Sequence, residues 1–253
     1  MPNCQTTRMS YNHFANLDIA SRYDQHRPSM HAIIQDWLRE AGLVGPYRRA
    51  MDIACGTGHP TLPLLALANE VEGIDASPQM AEQARRKGLN VCVGDLASLA
   101  TGQYDLLTIC MAFHWFDRAE ALREMRRASQ PGAIWLIYNF WLAGHRADPA
   151  FNHWLRDSYP RQFPAPQRAA PNFQPQAEET GIQLISQGQG SLPVTFSRRQ
   201  LIAYLTAQSN IEAALSETFG YADAETLLDA SLPAISNPDG LEYGYRYSIC
   251  RLV

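Results

Sequence analysis

The sequence predicts an α/β fold: a doubly wound, mostly parallel sheet with helices on both faces. Three observations predict it. Short apolar runs alternate with amphipathic helical stretches over residues 49–138. The first run opens into a glycine turn, Cys55-Gly-Thr-Gly58. Acidic residues stand at or next to the ends of three successive runs: Asp52, Asp75 and Asp95.

Residues 29–41 read as an amphipathic helix, because Ile33, Ile34, Trp37, Leu38 and Ala41 recur at helical spacing. Gly42 and Gly45-Pro46 stop it. Arg49–Cys55 is the first strand, and a helix is expected at about 61–68. Val71–Ile74 is the second strand, ending at Asp75. Ser77 and Pro78 then start a helix over 77–87, as an N-cap followed by proline at the first helical position. Val91–Val93 is a third strand. Tyr104–Cys110 is a fourth, apolar enough to be buried on both faces. Residues 117–128 form a charged amphipathic helix, and Ala133–Tyr138 is the fifth strand.

Beyond residue 140 the character changes. Five prolines fall in 160–175 and predict an irregular segment. Ile182–Ile185 and Leu192–Phe196 read as one bent strand or two. Helices are expected over Ser197–Ala207 and about 210–230, and Tyr243–Val253 reads as a terminal strand. No linker separates the halves. We therefore expect a single domain over 1–253: a lid at 1–30, a ligand-binding core at 31–140, and cap insertions with the last strands at 141–253.

Composition excludes several classes. The chain has 253 residues, 46% of them hydrophobic and 18% charged, which excludes a largely disordered chain or a fibre. A net charge of −4 leaves no broad basic field, so no nucleic-acid partner is expected. No apolar run reaches the ~18 residues of a membrane span, and the N-terminal stretch lacks the basic and apolar regions of a secretory leader. Five cysteines show no metal-ligand spacing and read as reduced thiols, so a cytoplasmic protein without a metal or membrane partner is expected, as monomer or homodimer.

The chemistry concentrates in Met51-Asp-Ile-Ala-Cys-Gly-Thr-Gly58. Glycines let a ligand approach the backbone, and free N–H groups follow the turn. Thr61 replaces the third glycine of the nicotinamide fingerprint, which argues against a dehydrogenase. A carboxylate at Asp75 can accept hydrogen bonds from both hydroxyls of a ribose. A rim carrying Asp52, Asp75 and Asp95 suits an adenosine ligand with positive charge rather than a pyrophosphate.

At this point the chain resembles the class I S-adenosylmethionine-dependent methyltransferases. MDIACGTG, EVEGIDASPQMAEQAR, NVCVGDLASL, YDLLTICMAFHWFD and MRRASQPGAIWLI come in the family's order. His114-Trp-Phe and Tyr23-Asp-x-x-Arg27-Pro28 are similar to the small-molecule branch typified by trans-aconitate methyltransferase. The resemblance implies a Rossmann-like seven-stranded sheet with an antiparallel last strand, and S-adenosylmethionine as cofactor. It implies that Ala54, Cys55, Gly56, Thr57 and Gly58 lie against the methionine and ribose. Asp75 would hold the ribose, with Ala76 and Met80 beside the adenine, which Asp95 and Leu96 also meet. Cys110 and Met111 would flank the cofactor. Tyr23 and Arg27 would close over it, Arg27 near the methionine carboxylate.

The implied reaction is methyl transfer to O, N or C of a small acceptor. The alternatives are a cyclase that keeps the methyl group and a non-catalytic cofactor-binding protein. His114 is the candidate general base, since an imidazole with a pKa near ~6.5 can accept a proton at physiological pH. Tyr11, Phe14, Trp115, Tyr138 and Trp141 are candidates for the wall of a flat or apolar acceptor pocket. Pro60 and Pro63 depart from the family pattern and predict a late start for the first helix of the core.

Overall fold

A computed structural model describes residues 17–168, 181–216, 218–235 and 237–253. Seven strands form one sheet: β1 (Tyr47–Ile53), β2 (Ala68–Asp75), β3 (Val91–Val93), β4 (Tyr104–Cys110), β5 (Ser129–His145), β6 (Ile182–Val194) and β7 (Leu241–Leu252). Their spatial order is β3-β2-β1-β4-β5-β7-β6. The first five run parallel, and β7 is antiparallel to both β5 and β6. The strand order reverses between β1 and β4. A crevice therefore opens at their C-terminal ends, where such sheets bind ligands.

Alternation along each strand feeds two cores. Leu106 and Leu136 face one side, with Ile34 and Leu38 of α2 (Ile33–Glu40). Leu107, Trp135 and Ile137 face the other, with Leu122 and Met125 of α4 (Arg118–Ala128). Trp135 is fully buried, and its Nε1 donates to Ser129 Oγ at 2.8 Å, which in turn donates to the Met125 carbonyl at 2.7 Å. Helix α3 (Pro78–Arg86) begins as the sequence predicts, with the Ser77 hydroxyl accepting from the Met80 amide.

Several boundaries differ from expectation for identifiable reasons. Strand β1 stops at Ile53 rather than Cys55, because Ala54 takes a left-handed conformation, φ 55°. The helix expected at 61–68 is only a 3₁₀ turn, Leu62–Ala66, because Pro63 supplies no N–H and β2 already begins at Ala68. The helix expected over 29–41 is shorter, Ile33–Glu40. Strand β5 runs on to His145 because β7 pairs with it that far. Ile182–Val194 is a single strand with a register shift between Leu184 and Ser186. The helix expected over 210–230 is two, α8 (Ser209–Ala214) and α9 (Tyr221–Ser231), split by a Ser216–Phe219 bridge.

Further helices stand among the described residues. α1 (Leu17–His26) precedes the core, and α7 (Arg198–Thr206) follows β6. α5 (Pro149–His153) continues through a π turn, Trp154–Ser158, into α6 (Tyr159–Gln162). Of the proline-rich stretch, 160–162 belong to α6 rather than to an irregular segment, 163–168 are coil, and 169–175 lie outside the described residues. No helix among the described residues is long and apolar enough to cross a membrane.

Leu106 is fully buried between β1 and β5. Leu106→Ala should cost about 2–5 kcal/mol, read as a lower urea midpoint with unchanged m value.

Candidate functional site

A cavity of about 400 Å³ lies at the C-terminal ends of β1, β2, β3 and β4. The glycine turn forms its floor. Gly56 and Gly58 have φ of +56° and +87°. A Cβ on Gly58 would stand 2.4 Å from Leu89 Cδ1, so the turn can pack on α3 and Leu89 only with glycine there.

Asp75 fixes the turn to the sheet. Its Oδ2 accepts from the Gly56 amide and its Oδ1 from the Ser77 amide, both at 2.8 Å. Burial pushes its carboxyl pKa up, and these two bonds oppose the shift. Each oxygen retains a further lone pair, and the side chain lines the cavity. Asp95 caps the 3₁₀ turn Leu96–Ser98 through Oδ1 alone, accepting from Ala97 N, Ser98 N and Ser98 Oγ. Oδ2 has no hydrogen-bond partner among the described residues.

Asp52 does not join them. It is fully buried behind the turn, outside the cavity wall, and accepts from Thr61 Oγ1 at 2.6 Å and Thr108 Oγ1 at 2.8 Å. Burial pushes its pKa up to about 7. Two carboxylates, not three, therefore face the ligand space, and Asp52 braces the turn against β4.

The cavity is closed from the N-terminal side by α1. Tyr23 and Arg27 line it, with the guanidinium 4.4 Å from the Tyr23 ring centroid. Arg27 donates to Gln208 Oε1 at 3.2 Å and contacts Met111 Sδ at 3.7 Å. Its Nε is buried without a partner, and no carboxylate pairs with it among the described residues. A cation withdrawn from water in this way calls for an anionic ligand. Lys87, the chain's single lysine, latches α1 down: its ammonium pairs with Asp24 and donates to the Thr57 carbonyl at 2.8 Å. Arg22 ties the same helix to Glu225 of α9 at 2.6 Å.

Of the other predicted residues, Ala54, Gly56, Ala76, Met80, Leu96, Cys110, Met111, His114 and Trp115 line this cavity. Cys55 borders a smaller adjoining pocket instead. Thr57 and Gly58 shape the turn without lining the space. Tyr138 is fully buried in the core beside His31 and reaches neither the main cavity nor the one behind it, which corrects its place as an acceptor wall. Trp141 lines a second cavity of about 340 Å³. Tyr11 and Phe14 lie outside the described residues.

His114 sits on a 3₁₀ turn, Phe113–Trp115, directly after β4 and borders both cavities. Its Nδ1 is buried without a partner. Burial, with the Arg168 charge nearby, pushes its pKa down to about 4, so the ring is neutral at physiological pH. Sequence reasoning missed Gln167, Arg168, Gln208 and Ser209, which share the wall with Ile53, Ile74, Gly94, Ala112 and Phe116, also outside the predicted set. Gln208 and Ser209 fall in the break between two predicted helices, the one place where a signal was available.

Residues 51–137 match the family model described as a methyltransferase domain. A methyltransferase-like protein of Schizosaccharomyces pombe is 30% identical over 128 residues, 48% of this chain and 50% of its own. A demethylmenaquinone methyltransferase of a Mycobacterium species is 30% identical over 152 residues, 56% of this chain and 66% of its own. Among solved structures, a candidate type II methyltransferase of Anaeromyxobacter dehalogenans superposes with TM-score 0.59 at 21% identity, covering 86% of this chain and 94% of its own. Residues 51–137 are thus a methyltransferase domain, an enzyme domain of the class that uses S-adenosylmethionine. The chain spans about half the length of the fission-yeast and Mycobacterium bovis relatives it matches.

Asp52 carries a pH prediction. Its folded pKa, about 7, exceeds the ordinary 3.8, so the native state holds this proton more tightly than the unfolded chain. The resulting stabilisation is full below about pH 4 and lost as the pH rises through 7. Asp52→Asn should remove that slope. Urea titrations from pH 4 to 8 should show the variant gaining on the parent by on the order of 1–4 kcal/mol; parallel curves would contradict the assignment.

Proposed function

We propose that this protein transfers the methyl group of S-adenosylmethionine to a small-molecule acceptor at an oxygen, nitrogen or carbon. The observation that carries the reading is the pairing of opposite charges across one glycine turn. Asp75 and Asp95 present carboxylates on one side of the cavity, and Arg27 presents a guanidinium without an acidic partner on the other. A zwitterionic amino acid joined to a nucleoside matches that pattern. Arg27 would hold the amino-acid carboxylate, Asp75 the ribose hydroxyls, and Asp95, Leu96 and Met80 the adenine. Bound there, S-adenosylmethionine supplies an electrophilic methyl group on a sulfonium.

The chain's own contribution is alignment and dryness. Alignment of two reactants can be worth effective molarities of ~10⁵–10⁸ M. The latched α1 keeps water from the glycine turn, and Met111, with its left-handed φ of 56°, turns the chain sharply at the end of β4. Such a conformation costs of order 1–3 kcal/mol and persists where surroundings enforce it, here a 2.8 Å bond from the Met111 amide to the Tyr138 carbonyl. His114 is neutral and free to accept a proton, yet a base with pKa near 4 draws weakly on a neutral hydroxyl. The arrangement therefore favours an acceptor that is nucleophilic before it meets His114.

The acceptor cavity has aromatic and aliphatic walls, in keeping with a small, flat molecule. The acidic balance of the chain gives no support to a nucleic-acid or membrane partner. Cys55 and Cys110 form no disulfide, in keeping with the cytoplasm.

Calorimetric titration with S-adenosylhomocysteine tests the reading. The parent protein should bind, and Asp75→Ala and Arg27→Met should each weaken binding at least tenfold, or about 1.4 kcal/mol. Binding unaffected by both variants would remove these residues from the site.

A further inference from the structure

The second cavity lies against the first. Met111, His114, Arg168, Gln208 and Ser209 belong to the walls of both. The rest of its lining includes Trp141, Leu155 and Tyr159 and the amides Asn139 and Asn210. Its cross-strand neighbour Gly244 leaves room for the exposed Trp141: a Cβ there would come within 2.6 Å of the indole.

The charge in this wall is one-sided. Among the described residues its lining contains no aspartate or glutamate, and Arg168 is its permanently charged member. Arg168 forms no ion pair among the described residues. Desolvation lowers its pKa, and no carboxylate offsets that loss. Beside it, His114 keeps a buried Nδ1 without a partner. A solvent-exposed guanidinium with no ion pair among the described residues and a buried imidazole nitrogen without a partner thus converge where the two cavities meet.

We propose that the second cavity takes the methyl acceptor as a flat aromatic acid, its carboxylate anchored on Arg168 and its ring lying along Trp141 and Tyr159. This rests on the methyl-transfer reading above and goes further in naming the acceptor's charge and shape. Arginine suits the role because its planar fork binds a carboxylate with two parallel hydrogen bonds. A neutral or cationic analogue would leave Arg168 unpaired, or set like charges together, in a partly desolvated space. A hydroxyl adjacent to the carboxylate would give His114 Nδ1 the partner it lacks. The carboxylate is the handle here, and an acid also relieves the positive field that Arg168 exerts on His114.

The test uses the full chain saturated with S-adenosylhomocysteine and four probes: benzoate, 2-hydroxybenzoate, benzamide and benzylamine. Calorimetry should show both acids binding at least about tenfold more tightly than the amide or the amine. Arg168→Met should abolish that preference while S-adenosylhomocysteine still binds, and Arg168→Lys should restore part of it. Trp141→Ala should weaken all aromatic probes alike. Equal binding of acid and amine, or acid binding indifferent to Arg168→Met, would overturn the proposal. So would an Arg168→Met loss that falls equally on S-adenosylhomocysteine, which would assign this arginine to the cofactor. If S-adenosylhomocysteine binds and no acid does, only the acceptor proposal fails. If S-adenosylhomocysteine itself does not bind, the methyl-transfer reading fails and takes this proposal with it.

Discussion

Two hydrogen bonds from backbone amides to one carboxylate hold the ligand space open. Asp75, at the end of β2, takes the Gly56 amide on one oxygen and the Ser77 amide on the other. The first bond pins the glycine turn to the sheet. The second sets the chain just before Ser77 caps α3. That carboxylate joins the turn after β1 to the turn after β2, alongside the bond from the Cys55 amide to the Ile74 carbonyl at 3.0 Å. The same oxygens keep lone pairs for a ligand, so one residue both builds the cavity and faces into it.

Around that anchor, charge is distributed by burial. Asp52 sits too deep to meet a ligand; its two threonine hydroxyls compensate it in part, and its raised pKa records the remainder. Arg27 sits at the cavity with its Nε unmatched. The first is a closed structural network, the second an open one. Lys87 belongs with the structural group: it bridges Asp24 of α1 and the Thr57 carbonyl, so the chain's one lysine fastens that helix rather than serving chemistry.

Much of the parallel half was legible in the sequence because buried strands and their glycine and acid punctuation are local signals. Tyr104–Cys110 and Val91–Val93 come out with the boundaries read from their apolar runs, and Ser77-Pro78 starts α3 as its cap chemistry requires. What was not legible depended on long-range partners. Nothing in Asp52 itself says that Thr61 and Thr108 will enclose it. Tyr138 reads as a wall residue until β7 covers β5. Ala54 and Met111 take left-handed conformations that only their surroundings impose, and alanine and methionine give no hint of them. Arg168 reaches the site from an irregular proline-rich segment that periodicity cannot place.

The position of a bound nucleoside decides what these residues do. A crystal structure with S-adenosylhomocysteine should show the ribose hydroxyls on Asp75 and the amino-acid carboxylate on Arg27, with the adenine beside Asp95 and Leu96. A ligand bound elsewhere, leaving Asp75 bonded only to Gly56 and Ser77 and Arg27 still unmatched, would contradict it.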